Sequence, residues 1–272
     1  MDLELKGKRA LVTGASSGLG AAIALELARE GAHVVVHGRD RERVQATAEA
    51  AAALGVEVFV ATGDLMHDGA AEAISQAATQ RFGGIDILVN NAGAVLNMRD
   101  ASDWLQVSGS AWVDSYNLNV IAAVRMSQQL APGMAQRGWG RIINISSISG
   151  TQMRGRLFDY GASKAALNSF TVNLSKVLAP QGVTVNCIVP GSIMTPAVQR
   201  WIETLRRERE WPEDLEECER RFVSERAAQP VPRLGRPREI AAAAALLASP
   251  LSGYTTGAFL RIDGGIATAV GA

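Results

Sequence analysis

Seven short runs rich in β-branched residues recur along the chain, separated by Ala-rich segments of helical length. The runs are "RALVTG" (9–14), "HVVVHG" (33–38), "VEVFVATGD" (56–64), "IDILVNNAG" (85–93), "GRIINISS" (140–147), "VTVNCIVPG" (183–191) and "AFLRIDGG" (258–265). Several are continuously apolar rather than alternating, the pattern of parallel strands covered on both faces. Helical segments fall near 18–30, 40–54, 68–82, 112–137, 160–179 and 237–248. Repeated strand–helix alternation predicts a doubly wound α/β fold around a mostly parallel, seven-stranded sheet. No Ser/Gly-rich linker divides residues 1–272, so the chain reads as one domain. Residues 192–232 break the rhythm: they are charged and helical in pattern, with Pro212 placed to begin a second short helix. In an open α/β sheet ligands bind beyond the carboxyl ends of the strands, which makes this excursion a candidate substrate lid.

Lys+Arg and Asp+Glu balance at 27 each, so no basic field points to nucleic acid or an anionic membrane. Cys187 and Cys218 have no metal-ligand spacing and are too few for a disulfide framework, and no metal is expected. "MDLELKGKRALVTG" lacks the apolar core of a signal peptide, and "IAAAAALLA" (240–248) is too short to span a bilayer. A cytoplasmic protein is expected.

After the first strand comes "TGASSGLG", with Gly14, Gly18 and Gly20 in the turn into the first helix. Such a turn brings backbone N–H groups and a helix N-terminus toward a dinucleotide pyrophosphate, and glycines allow the close approach. The end of the second strand reads "VVVHGRDRERV". An acid there would bind the ribose 2′-OH of NAD, whereas an arginine accommodates a 2′-phosphate. Gly38 occupies the acid's place and Arg39 follows, which favours NADP (NADPH). NAD stays possible, because Asp40 is either a displaced ribose ligand or the N-cap of the next helix.

"YGASK" (160–164) sets Tyr160 and Lys164 one helical turn apart, on one face. A phenol titrates near pH 10, too high for ready proton loss at neutrality, and a neighbouring ammonium favours the phenolate.

Together, "TGASSGLG", "NNAG" (90–93), Ser147 after a strand, "YGASK", "PGSIMT" (190–195) and the closing "RIDGG" (261–265) resemble the short-chain dehydrogenase/reductase family, over essentially the whole chain. The C-terminal "VPRLGRPREIAAAAALLASPLSGYTTGAFLRIDGG" (231–265) looks most like 3-oxoacyl-carrier-protein reductases and related bacterial alcohol dehydrogenases. The resemblance implies a Rossmann fold and interconversion of a ketone and a secondary alcohol by hydride transfer. It implies Tyr160 as general acid–base, its pKa lowered by Lys164 together with the positive nicotinamide of the oxidised cofactor, and Lys164 as a ligand of the nicotinamide ribose. Ser147 would hold the reacting oxygen, with Ser146 as its rival. Asn119 would hold a relay water, with Asn117 as its rival. Gly14, Ser16, Ser17, Gly18, Leu19 and Gly20 would take the pyrophosphate turn, and Asp64 and Leu65 would edge the adenine. Asn91 and Gly93 would line the channel, with Pro190, Gly191, Ile193 and Thr195 near the nicotinamide. A homo-oligomer, most simply a tetramer, is implied, because helices 112–137 and 160–179 are apolar around their circumference.

The stretch from Gly191 to Gly235 is longer than in carrier-protein reductases, which speaks against an acyl-carrier substrate. Trp201, Ile202 and Leu205 form an apolar stripe suited to lid packing, and Arg154 and Arg156 a loop able to greet an anion. Two rival readings are a non-catalytic nucleotide-binding regulator on the same scaffold and a sugar-nucleotide epimerase. A regulator has no chemical reason to keep the Asn–Ser–Tyr–Lys set, and an epimerase carries a different glycine spacing.

Overall fold

A computed structural model describes residues 1–96, 101–152, 157–227 and 229–268. Arg154 and Arg156 lie outside the described residues.

The seven strands form one sheet in the order β3-β2-β1-β4-β5-β6-β7. They are β1 Arg9–Val12, β2 His33–Gly38, β3 Val58–Thr62, β4 Ile87–Asn90, β5 Gly140–Ile145, β6 Val183–Pro190 and β7 Phe259–Ile262. Every pairing between neighbours is parallel, a stricter arrangement than the mostly parallel sheet expected. The fold is the doubly wound Rossmann type.

Successive side chains of a strand point to opposite faces, and here both faces are covered. Ala10 and Val12 of β1 pack with Val34, Val36, Ile87 and Val89 beneath α1 (Gly18–Arg29), α2 (Arg41–Ala52) and the C-terminal helix Pro237–Ala248. Leu11, Val35, Leu88, Ile142 and Val185 face the other way, against α3 (Ala70–Phe82) and the helix Ala122–Gln136. That two-sided burial is why the strands read as continuous apolar runs.

The helix expected over 112–137 is two α-helices, α4 (Gly109–Tyr116) and α5 (Ala122–Gln136), joined by a π-helical turn at Asn117–Ile121. α6 runs from Phe158 to Leu178. The excursion after β6 contains α7 (Pro196–Glu208) and α8 (Leu215–Phe222), before α9 (Pro237–Ala248). Pro196 takes the first position of α7 behind the N-cap Thr195. Pro212 does not start α8, because Asp214 supplies the N-cap by accepting the Glu216 N–H, and the helix begins at Leu215.

The excursion has its own small core of Ile202, Leu205, Trp211, Cys218, Phe222, Val223 and Leu234, with Trp201 packed against it. Glu219 anchors it to the start of α9, accepting from Leu234 N at 2.7 Å and from both terminal nitrogens of Arg236 at 2.9 Å. Among the described residues, no helix is long and apolar enough to cross a membrane.

Candidate active site

The strand order reverses between β1 and β4, and crevices open beyond the carboxyl ends of strands at such points. Asn91 closes the floor: its Nδ2 donates to Thr13 O and Gly14 O, while its backbone N–H donates to Thr13 Oγ1. Gly14 and Gly18 have φ of +64° and +59°, a region open to glycine without strain. A Cβ on Gly20 would collide with the Gly14 carbonyl and stand 2.5 Å from Asn91 Nδ2, so the turn requires glycine there. Ser17 is the N-cap of α1 but makes no side-chain cap, which leaves the helix's first N–H groups without a side-chain acceptor.

The cleft encloses about 270 Å³. Of the residues expected at a site, Gly14, Ser17, Gly18, Leu19, Gly20, Asn91, Gly93, Tyr160, Lys164 and Thr195 line it. Ser146, the rival to Ser147, lines it too, as do Ile145, Pro196, Ala197 and Arg200, which the sequence does not single out. Nothing in their residue types marks them, and only the approach of α7 to α1 brings Pro196, Ala197 and Arg200 there.

The remaining expected residues stand outside that lining. Asn119 is buried in the π-helical turn, accepting from Ala94 N at 3.1 Å and donating to Ala94 O and Ser115 O at 3.0 Å. It abuts the cleft at Gly93, where a Cβ would lie 2.7 Å from Asn119 Oδ1 and 3.1 Å from Lys164 Nζ. Asn117 is engaged elsewhere, donating to Met66 O and accepting from Arg125. Arg125 thus contacts Asn117 of the pair. Ile193 is buried against Gly235. Gly191 packs on Asp263 directly after Pro190, the last residue of β6. Leu65 is buried, and Asp64 Oδ1 accepts the Met66 N–H. Ser16 lies beside Gly38, at 3.3 Å from a Cβ placed there.

At the end of β2, Arg39 is largely exposed and loosely paired with Asp64 at 3.9 Å. Asp40 caps α2, accepting from Glu42 N and Arg43 N, so the two readings of that residue resolve to the cap. Arg43 reaches back to Ser17 Oγ at 3.2 Å, which puts a second guanidinium beside the glycine turn.

Tyr160 sits in the first turn of α6, behind Leu157. Leu157 holds φ of +56°, a conformation costing a non-glycine residue about 1–3 kcal/mol, and its carbonyl accepts the Gly161 N–H. Ser147 hydrogen-bonds Tyr160, whereas Ser146 donates to Lys164 O at 3.4 Å. Lys164 Nζ lies 5.6 Å from the Tyr160 ring centroid and donates to Ile145 O at 2.9 Å.

Burial raises the Tyr160 phenol above its ordinary value, with the Ser147 hydrogen bond pulling the other way. Burial pushes the Lys164 ammonium down to about 8, and one of its N–H groups donates to the Ile145 carbonyl. Burial also pushes the Cys187 thiol up to about 12, which keeps it a neutral core group.

The family model for short chain dehydrogenase matches residues 8–206. The chain belongs to that family. It is 38% identical to nodulation protein G of Azospirillum brasilense over 260 residues, covering 95% of this chain and 98% of the relative. It is 36% identical to a 3-oxoacyl-(acyl-carrier-protein) reductase of Vibrio cholerae, covering 97% and 99%. The crystal structure of L-sorbose reductase from Gluconobacter frateurii, complexed with NADPH and L-sorbose, superposes with a TM-score of 0.92 at 33% identity, covering 99% of this chain and 100% of that one. As a member of this family, the chain is an oxidoreductase acting between alcohol and carbonyl groups.

Proposed function

We propose that this enzyme interconverts a ketone and a secondary alcohol with NADP(H), using Tyr160 as the general acid–base. The observation that carries the reading is the meeting, in one cleft, of the glycine turn with Tyr160 and Lys164. A dinucleotide suits the residues present: an uncapped helix start and a glycine turn that a Cβ would fill lie at one end, and a phenol and an ammonium at the other. No carboxylate lines the cleft among the described residues. Arg39 and Arg43 flank the end of β2, where a 2′-phosphate would sit, and Asp40's role as a cap supports NADP over NAD. The solved L-sorbose reductase that superposes with a TM-score of 0.92 carries NADPH.

When bound, the cofactor supplies the hydride. Ser147 and Tyr160 hold the carbonyl oxygen between two hydroxyls, and the phenol, kept protonated by its burial, donates its proton to that oxygen. Lys164 supplies a positive charge beside the phenol and a donor for a ribose hydroxyl. Asn119, pinned by three hydrogen bonds against Gly93, orients the far side of Lys164 and a relay water. The excursion 192–232 acts as the substrate lid. Its apolar stripe is taken up by its own core, which leaves the substrate to polar and small residues around the cleft.

The working form is a homo-oligomer, most simply a tetramer. Support comes from the apolar side chains that α4 to α6 leave exposed, including Val113, Ile121, Phe158 and Val177. The test of the reaction is loss of reduced-nicotinamide absorbance with a panel of ketones. Turnover in wild type that disappears in Tyr160→Phe is expected, and equal rates in the two would overturn the reading.

A further inference from the structure

α7 carries an arginine whose surroundings set it apart from the others nearby. In the excursion, Arg206 and Arg207 pair with Glu203, Arg209 with Glu225, and Arg220 and Arg221 with Glu217. Arg200 is exposed, and no carboxylate among the described residues lies within ion-pair distance of it. It lines the cleft with Pro196 and Ala197. Residues 196 and 200 are one turn apart and share a helix face. That face meets the start of α1: a Cβ on Gly18 would lie 3.6 Å from Thr195 Cγ2 and 3.9 Å from Pro196 Cδ. Arg200 and Lys164 are the two cations of the lining, and no carboxylate among the described residues balances them there. Lys164 belongs to the reacting end beside Tyr160, whereas Arg200 shares the lining with Gly18 and Leu19 at the uncapped start of α1.

We infer that Arg200 binds the diphosphate of the dinucleotide from the lid side, opposite the α1 N-terminus. The inference rests on the cofactor reading above. The diphosphate is then held between backbone N–H groups fixed to the sheet and a guanidinium fixed to α7, so cofactor binding draws the first lid helix onto the cleft. The arginine–phosphate geometry suits this, since a guanidinium donates in parallel to two oxygens. A carboxylate-bearing substrate offers the same anionic chemistry, and the experiment separates the two.

Dissociation constants of NADPH, NADH and adenosine 2′,5′-bisphosphate are measured by calorimetry for wild type, Arg200→Gln and Arg39→Leu. Arg200→Gln should weaken NADPH and NADH by the same factor, about 10-fold, the lower range for a charge-assisted hydrogen bond. It should weaken the bisphosphate by less than either dinucleotide, because the bisphosphate's 5′-phosphate supplies only the adenosine-side half of the diphosphate. Arg39→Leu should weaken NADPH and the bisphosphate but not NADH. Wild-type affinity for both dinucleotides in Arg200→Gln overturns the inference, as does an effect confined to the KM of an acidic substrate. A wild-type protein that binds neither dinucleotide overturns the cofactor reading and this inference with it.

Discussion

Gly38 and Val44 leave no room for a side chain between the end of β2 and α2: a Cβ on Gly38 would stand 2.5 Å from Val44 Cγ2, and Val44 is fully buried. The position where an acid would select NAD is therefore closed by packing as well as by sequence. Gly38→Asp should destabilise the protein by about 1–3 kcal/mol through overpacking, seen as a lower Tm. Adding Val44→Ala should recover part of the loss. Cofactor choice is better tested by Arg39→Leu alone, which should reduce the NADPH-over-NADH preference in kcat/KM by roughly 10- to 150-fold. An unmoved ratio would remove Arg39 from cofactor selection.

The serines of "ISS" separate by partner. Ser147→Ala should lower kcat with KM for cofactor nearly unchanged, because Ser147 is the one bonded to Tyr160. Ser146→Ala should retain most activity, since its hydroxyl meets the Lys164 carbonyl. Tyr160→Phe should cost about 10²–10⁴-fold in turnover while leaving NADPH affinity near wild type. Steady-state rates together with binding titrations distinguish these outcomes.

Lys164 should make both activity and stability depend on pH. The ammonium titrates near 8 in the folded protein, so kcat/KM for ketone reduction should fall as pH rises through about 8. The raised phenol stays protonated across that range. For stability, the folded value lies below the ordinary 10.5, so between about 8 and 10.5 the unfolded chain binds more protons and this group's contribution rises with pH. Below 8 both states are protonated and the burial cost is fully present. Lys164→Met should therefore raise Tm at pH 7, with a gain that shrinks as pH climbs through the window, even as turnover collapses. Calorimetric melts at several pH values check this.

Gly93→Ala should damage the site without replacing any of the proposed catalytic groups. Its methyl would press on Asn119 Oδ1 and Lys164 Nζ at once. Lower kcat and weaker cofactor binding together are expected, and a variant with wild-type kinetics would mean that these two side chains move freely.

Association should depend on the faces of α4 and α5. Val113 is 66% exposed and Ile121 38% exposed, beside the surface formed by Trp112, Tyr116 and Arg125. Val113→Glu with Ile121→Glu should shift sedimentation toward the monomer. A wild-type protein that is monomeric at micromolar concentration would refute the oligomer.

Local pattern was enough to write the strands, their parallel sense and the glycine turn, because those depend on periodicity and on where a Cβ is tolerated. "YGASK" likewise places Tyr160 and Lys164 on one face through helical spacing alone. What the chain alone left open were contacts between residues far apart in it. By sequence Asp40 suits a ribose ligand and a cap equally, and only the folded turn brings Glu42 N and Arg43 N to it as donors. Asn117 and Asn119 differ by two positions, and only the π-helical turn sends one toward Arg125 and the other toward Gly93. The depression of Lys164 needs burial by several elements at once, which no local window records. Arg200 is one arginine among many in the sequence, and it becomes a feature of the cleft only because α7 packs its first turn against Gly18.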